Sequence, residues 1–385
     1  MNGAAANNRA LTWACYLAMF VFGTVFTMLG AVLPLWLEAR RLNVAEAGGL
    51  FFFLSLGSLV AVLATGPFVD RTGYKMTFLV APPLIAVALF LLRSSADYAA
   101  TALACALMGL GGGALNNATN SFVSDLHPTG RAIALNRLGV FFSLGALFIP
   151  LLMGTFLRVL EIGSVLWIAT AIALLPAIAF SFQTFPAAKQ TRRVPLGSMF
   201  GMLSHPFVLL LSLLLFLQSG IELSSSGWIS TFFTTSRGLT TREASWILAL
   251  LWMGVMVSRL LAGLWLKRIP EMLVIFLSAF GAALAWVLLL HSQVLALEVA
   301  AVFLLGFCLA GIFPTALAIA GTRFPQNSGA VFGALFAVAT LGGMTIPAAI
   351  GHVALTRGMV AGMSILPLCC ALVCILSRRV AAARR

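Results

Sequence analysis

An acid, an amide and a base stand inside runs that are otherwise apolar, and they set the first chemical question. Glu222 lies in "FLQSGIELSSSGWISTFF" with Gln218 four residues before it, so on a helix the two side chains share a face. An ionisable group inside a membrane-crossing helix costs several kcal/mol and marks a solute or proton site by default. Gln218 can donate and accept, so it and Glu222 can hold a polar solute together, and Glu222 can also exchange a proton. The plainer reading is a carboxyl bound into hydrogen bonds that fix helices together. Arg259 is the one cation inside an apolar run; it can snorkel toward the nearer end or pair with an acid. Counting rise along the helices puts it roughly 10 Å from Glu222, so direct pairing needs a tilted or broken helix.

Asn116 and Asn120 offer a second polar face at the i, i+4 spacing, with Asn117 and Thr119 on adjacent faces. Amides donate and accept, which suits the vicinal hydroxyls of a sugar; as adhesive between helices they are worth about 1 kcal/mol or less. Trp252 and Trp228 are candidate platforms for the apolar side of a sugar ring, although Trp36, Trp228 and Trp246 also stand where an interfacial tryptophan belt is expected. Asp125 and Arg131 read as a surface ion pair, and Asn136 and Arg137 as parts of a gate on the same side. Glu298 falls too near the end of its run for a coupling acid. His127, His205, His291 and His352 are dispersed near the ends of runs, which argues against a metal site. The six cysteines show no zinc or redox spacing and read as packing residues. No nucleophile set is visible, so the expectation is no enzyme and no cofactor.

The elements that must position these groups follow from composition. Of 385 residues, 61% are hydrophobic and only 9% are charged, far below the quarter or so usual in soluble domains. Twelve apolar runs are each long enough to cross roughly 30 Å of hydrocarbon: 11–36, 45–66, 76–93, 98–125, 132–157, 164–183, 206–233, 244–266, 271–290, 294–322, 329–353 and 358–377. Their Gly and Ala content reads as helix rather than barrel. Residues 66–154 reappear at 263–351 with a constant offset of 197: Gly66 on Gly263, Arg71 on Arg268, Gly109 on Gly306, Pro128 on Pro325, Gly145 on Gly342, Pro150 on Pro347. The fold expected is an all-α membrane protein with twelve transmembrane helices in two parallel-repeat six-helix bundles. The only long polar connection, 186–205, is expected to be a cytoplasmic linker between an N-terminal bundle, 1–185, and a C-terminal bundle, 206–385, with a short surface helix near Leu196–Leu203.

A net charge of +13 suggests nucleic acid in a soluble protein, but its placement argues for topology instead. With both termini inside, fifteen Lys and Arg residues face inward and seven (Arg40, Arg41, Arg93, Arg158, Arg237, Arg242 and Arg357) outward, as the positive-inside rule requires. The expected setting is the inner (plasma) membrane, with both termini cytoplasmic, anionic lipid around the cations and no nucleic-acid partner. The first apolar run is too long for a signal-peptide core and is read as a genuine span.

The second run ends in "GPFVDRTGYK", which resembles the loop signature G-x-L-x-D-R-x-G-R-K of the major facilitator superfamily. Gly66, Asp70, Arg71, Gly73 and Lys75 match, while Phe68 replaces Leu and Tyr74 replaces Arg. Gly66 is expected to let the helix end lie against a neighbour. The resemblance implies that Asp70 latches the cytoplasmic side against the start of the eleventh span; in the second copy Lys267 stands in its place. Spans four and five, "GLGGGALNNATNSFVSDLHPTGRAIALNRLGVFFSLGALFIPLL", and the pattern Gly220, Glu222, Ser224, Gly227, Trp228 of span seven resemble the fucose permease-like branch of sugar transporters. That resemblance implies that spans one, four, seven and ten surround a central cavity. It also exposes a departure: the carboxylates that the fucose permease carries on spans one and four align with Gly30 and Asn116, so coupling through that pair is absent. The expectation is a monomeric secondary transporter for a sugar or related polyhydroxylated solute, working by alternating access and proton symport through Glu222. A facilitated-diffusion uniporter, or an exporter of drugs or lipophilic solutes, is the alternative; Ile149-Pro150 interrupts the Gly-rich pattern that such exporters often carry on span five.

Overall fold

A computed structural model describes residues 2–95, 97–127, 130–185, 196–265 and 269–383. Among the described residues there are fifteen helices and no strand. They are α1 Asn2–Ala39, α2 Val44–Thr72, α3 Tyr74–Ser94, α4 Tyr98–Leu126, α5 Arg131–Phe156, α6 Ile162–Ser181, α7 Leu196–Met202, α8 Pro206–Arg237, α9 Thr241–Trp265, α10 Glu271–His291, α11 Leu295–Leu309, α12 Ile312–Arg323, α13 Ser328–Arg357, α14 Met359–Met363 and α15 Ile365–Ala383. Among the described residues, twelve stretches are long and apolar enough to cross a membrane; the tenth, Leu295–Arg323, joins α11 and α12, and the twelfth, Met359–Ala383, joins α14 and α15. Helix is the form lipid allows, because each segment satisfies its own backbone.

The internal repeat is built into the packing. A β-carbon on Gly57 would overlap the carbonyl of Ala106, and one on Gly254 would overlap that of Phe303. Likewise Gly109 meets the carbonyl of Leu54, and Gly306 that of Leu251. Both glycines and both partners shift by the same 197 positions. Gly145 on Phe20 is matched by Gly342 on Phe216, one residue out of strict register. Gly23 lies on the Phe142 carbonyl, whereas its counterpart Gly220 meets the Ile346 side chain and the Gly342 carbonyl. The structural repeat thus reaches back to Gly23, well before the stretch that the sequence comparison aligned. Small residues at such crossings let backbones touch where lipid gives helices no apolar reason to associate.

By packing, the chain forms two units, one of residues 1–29 and 53–193, the other of 30–52 and 194–385. In the first, α3 packs on α4 and α6, and Phe78 stacks on Phe180 at 4.0 Å. In the second, α8 packs most extensively on α13. Residues 30–52 join that second unit through small residues: Gly30 lies against the backbone of Ser226 and Gly227, and Gly48 against Pro347 and Ala348. Phe51 fills the space over Gly227 and packs on Trp228 at 5.6 Å. The short helix expected near 196–203 is present as α7, with Met199 buried against Gly333 and Phe200 exposed. The remainder of the 186–205 connection, residues 186–195, lies outside the described residues, as do Pro128, Lys267 and Arg268.

Two expectations change. The tenth stretch is interrupted: α11 ends at Leu309 and α12 starts at Ile312. Pro314 accounts for this, since it has no N–H for the carbonyl of Ala310 and its ring crowds that oxygen. Gly66 is not a close-approach glycine; it is exposed, with nothing within 4 Å of where a β-carbon would lie. Gly109→Ala and Gly306→Ala are therefore each expected to destabilise the protein by about 1–3 kcal/mol, because the colliding atom is backbone. Gly66→Ala should be neutral or stabilising by up to about 1 kcal/mol through helix propensity. Thermal unfolding of the three purified variants in one detergent checks the contrast.

Candidate functional site

The helix that carries Glu222 is closed off at both ends by local chemistry. Pro206 starts α8 after His205, whose Nδ1 accepts from the Phe207 N–H at 3.2 Å. Gly238 stops it in the left-handed conformation, φ +66, which costs a side-chain-free residue little. Glu222 falls at the middle of this 32-residue helix, roughly 23 Å of rise from either end. Its neighbours Gln218, Gly220, Ile221, Leu223 and Ser224 are buried, yet Glu222 itself keeps part of its surface open. A carboxyl can ionise in such a place only if polar groups face it, and two do. Gln218 is its hydrogen-bonding neighbour, and the charge of Arg259, itself half-buried on α9, reaches it. The separation counted along straight helices therefore does not isolate Arg259 from the acid.

Gln218 is completely buried, and its Nε2 donates to the Leu309 carbonyl at 3.2 Å, at the interruption between α11 and α12. The structure thus brings Gln218, Glu222, Arg259 and the break into one neighbourhood of the second unit. It gives the tryptophans a different place from the one expected. Trp228 is 0% exposed and Trp252 1%, so neither shows a ring face to a solute here. Trp228 spends its indole N–H on the Pro347 carbonyl at 3.2 Å. Gly30, which the resemblance places at a carboxylate position, has no room for any side chain, since a β-carbon would overlap the Ser226 carbonyl.

In the first unit, Asn120 Nδ2 donates to Asn116 Oδ1 at 2.8 Å and to the Asn116 carbonyl at 2.9 Å. Both amides are half-buried. This bond orients the pair and leaves Asn116 Nδ2 as a donor and Asn120 Oδ1 as an acceptor for something else. Thr119, by contrast, is buried and turns its hydroxyl back to the Leu115 carbonyl at 2.6 Å.

The signature 66–75 spans the turn between α2 and α3, with Gly73 at φ +81. Asp70 and Arg71 are exposed, and Lys75 donates to the Gln183 carbonyl at 3.3 Å. The expected pair of Asp125 with Arg131 is not what forms. Asp125 accepts from the Tyr74 hydroxyl at 2.9 Å, and Arg131 is exposed. Tyr74, one of the two departures from the family pattern, thus helps tie α3 to α4, and its ring lies 5.0 Å from Phe122.

One polar pair escaped the sequence reading. Arg237 Nε donates to Glu298 Oε1 at 2.8 Å, with the Glu298 side chain 2% exposed and that of Arg237 20%. Arg237 also donates to the Ser292 carbonyl at 3.3 Å and lies over the Phe232 ring. Each residue stands at the end of its own apolar run, where a charge ordinarily faces water. Nothing in the linear spacing of residues 237 and 298 signals that α8 and α11 bring them together.

Set against known proteins, the sequence matches the Major Facilitator Superfamily over residues 15–347 and, overlapping, 237–384. The glucose/mannose transporter GlcP of Bacillus subtilis (strain 168) is 23% identical over 382 residues, 91% of each chain. Among solved structures, the D-xylose-proton symporter superposes with a TM-score of 0.80 at 13% identity, covering 96% of each chain. The fucose:proton symporter FucP of E. coli gives 0.68 at 18% identity, covering 96% of this chain and 98% of its own. At these identities the superpositions show a shared fold.

The ion pair carries the prediction that follows from this geometry. Arg237→Ala leaves Glu298 buried beside no cation and is expected to cost about 3 kcal/mol. Adding Glu298→Gln removes the stranded charge and should restore most of that loss. Melting temperatures of the single and double variants in detergent measure both steps.

Proposed function

The chain belongs to the Major Facilitator Superfamily, and from that membership we propose that it carries a sugar or related polyhydroxylated solute across the membrane in symport with a proton. The observation that carries the proton reading is Glu222, a half-buried carboxyl midway along a membrane helix, with Gln218 beside it and the charge of Arg259 in reach. Ionised, Glu222 is attracted to Arg259; neutral, it frees that cation and lies more easily in a low-dielectric surrounding. One site therefore has two electrostatic states, which a coupled carrier requires. The substrate class draws on the printed functions of GlcP, FucP and the xylose symporter. It also suits the Asn116–Asn120 pair, whose free donor and acceptor match a hydroxyl that does both. In this reading Gln218 and Glu222 also take part in binding the solute, and Asp70, Arg71 and Lys75 serve the cytoplasmic gate. Transport proceeds by alternating access. The carrier works as a monomer in the inner (plasma) membrane, with both termini in the cytoplasm.

Purified protein in proteoliposomes, screened with sugars at two pH values, tests the substrate class. Concentration of a sugar under an imposed pH gradient is the expected result. Equilibration without concentration indicates a uniporter, and inhibition by lipophilic cations but not by sugars indicates an exporter. Glu222→Gln is expected to abolish gradient-driven accumulation while leaving solute exchange measurable. Unchanged accumulation removes Glu222 from the mechanism. Asn120→Ala should weaken binding of the accepted sugar about tenfold, the worth of one to two hydrogen bonds, as read by isothermal titration.

A further inference from the structure

The glycine crossing that joins α1 to α8 also builds a cleft where both helices end. Gly30 lies against the backbone of Ser226 and Gly227. Eight residues beyond Gly30 stands Glu38, and eight beyond Ser226 stands Thr234. Both line a cleft of about 420 Å³, within the roughly 300–1,000 Å³ usual for small-molecule pockets. Gly238, at φ +66, turns the chain back at the end of α8, and the residues that follow it form another wall. All of the lining belongs to the second unit. Thr234 lies twelve residues beyond Glu222 on α8, about 18 Å of rise away, so the cleft is not the site already described.

This lining has oxygen to offer and few protons. The Thr234 and Thr235 hydroxyls both donate to the Thr231 carbonyl, at 3.0 and 2.7 Å. The Thr240 hydroxyl donates to Glu243 Oε2 at 2.7 Å. Each keeps a lone pair, and each can donate to a ligand only by giving up its present bond. In Thr241 the carbonyl accepts from Ser245, and the hydroxyl is left to give or to take. Glu38 is the one charged residue of the lining; it is exposed and makes no ion pair among the described residues. The neighbouring cations act elsewhere. Arg40 lies over the Trp36 ring at 4.4 Å, Arg237 holds Glu298, and the charge of Arg242 falls on Glu243; Arg41 is exposed. Pro34, Leu37 and Leu239 add an apolar wall. A sugar hydroxyl has to take as well as give, whereas an ammonium gives three hydrogen bonds, takes none and answers the charge of a carboxylate. We infer that the cleft binds a primary ammonium group carried on a small apolar body, at a site separate from that of Glu222.

Saturation-transfer NMR of n-butylammonium, titrated onto the full-length protein in phosphatidylcholine nanodiscs and corrected with empty nanodiscs, tests the site. Phosphatidylcholine carries no N–H of its own to compete. The probe is expected to bind about fivefold more tightly than n-butanol, the worth of one well-placed exposed ion pair. Glu38→Gln, a change at an exposed position, should lose about the same factor. Wild-type affinity in that variant, or no preference over n-butanol, overturns the inference. n-Butyltrimethylammonium has the charge without the N–H and should bind more weakly; equal binding overturns the choice of a primary ammonium. Glu222→Gln should bind the probe as the wild type does, and a loss there overturns the separateness of the cleft. Replacing part of the lipid by phosphatidylethanolamine distinguishes two sources of the same group. Weaker apparent binding of the probe assigns the site to lipid headgroups, and unchanged binding assigns it to amines from water. Binding is read without transport, so the cleft stands or falls apart from the role of Glu222.

Discussion

Backbone touching backbone at glycine is the interaction on which the rest of this structure stands. Lipid tails are as apolar as leucine, so helices in a membrane gain little by hiding side chains from one another, and close contact has to supply the attraction. Gly57 on Ala106, Gly109 on Leu54, Gly254 on Phe303 and Gly306 on Leu251 each let two helices meet with no side chain between them. These crossings recur at one offset because the same six-helix design was written twice. They also fix the angles at which neighbouring helices lie, and hence which residues face the interior. The same device places residues 30–52 in the second unit, where Gly30, Gly48 and Gly351 remove every obstacle to contact.

Against that apolar ground, each buried polar group needs a partner or a purpose. Many hydroxyls satisfy themselves within a turn, as Thr119 does on Leu115 and Ser225 on Ile221. Others tie helix to helix: Tyr74 to Asp125, Trp228 to Pro347, Arg237 to Glu298. These account for themselves as structure. The group around Glu222 does not reduce to structure so readily. There a carboxyl that stays partly open, a cation in range and an amide with one buried oxygen lacking a partner share one neighbourhood.

Departures from the family pattern also acquire physical reasons. Tyr74 stands where the signature has arginine, and its hydroxyl donates to Asp125 where an arginine would offer a guanidinium. Gly30 stands where the resemblance leads one to expect an acid, and the crossing with Ser226 excludes any side chain there. Glu222 is carried on α8 instead.

Much of this was legible from order and type alone. A run of apolar residues long enough for the bilayer is a one-dimensional property, so the twelve stretches, the duplicated register and the family signature could be read directly. Glu222, Gln218 and Asn116 with Asn120 stood out because polarity inside such runs is rare and i, i+4 spacing implies a shared face. What spacing could not supply was the identity of partners far apart in the chain. Arg237 with Glu298, Asp125 with Tyr74 instead of Arg131, the burial of Trp228, the open surroundings of Gly66 and the hold of Gln218 on Leu309 all depend on which helices cross and at what height. Local sequence determines whether a segment is a helix and which of its faces is polar; only the crossing of helices, set by contacts between distant glycines, determines what that face meets.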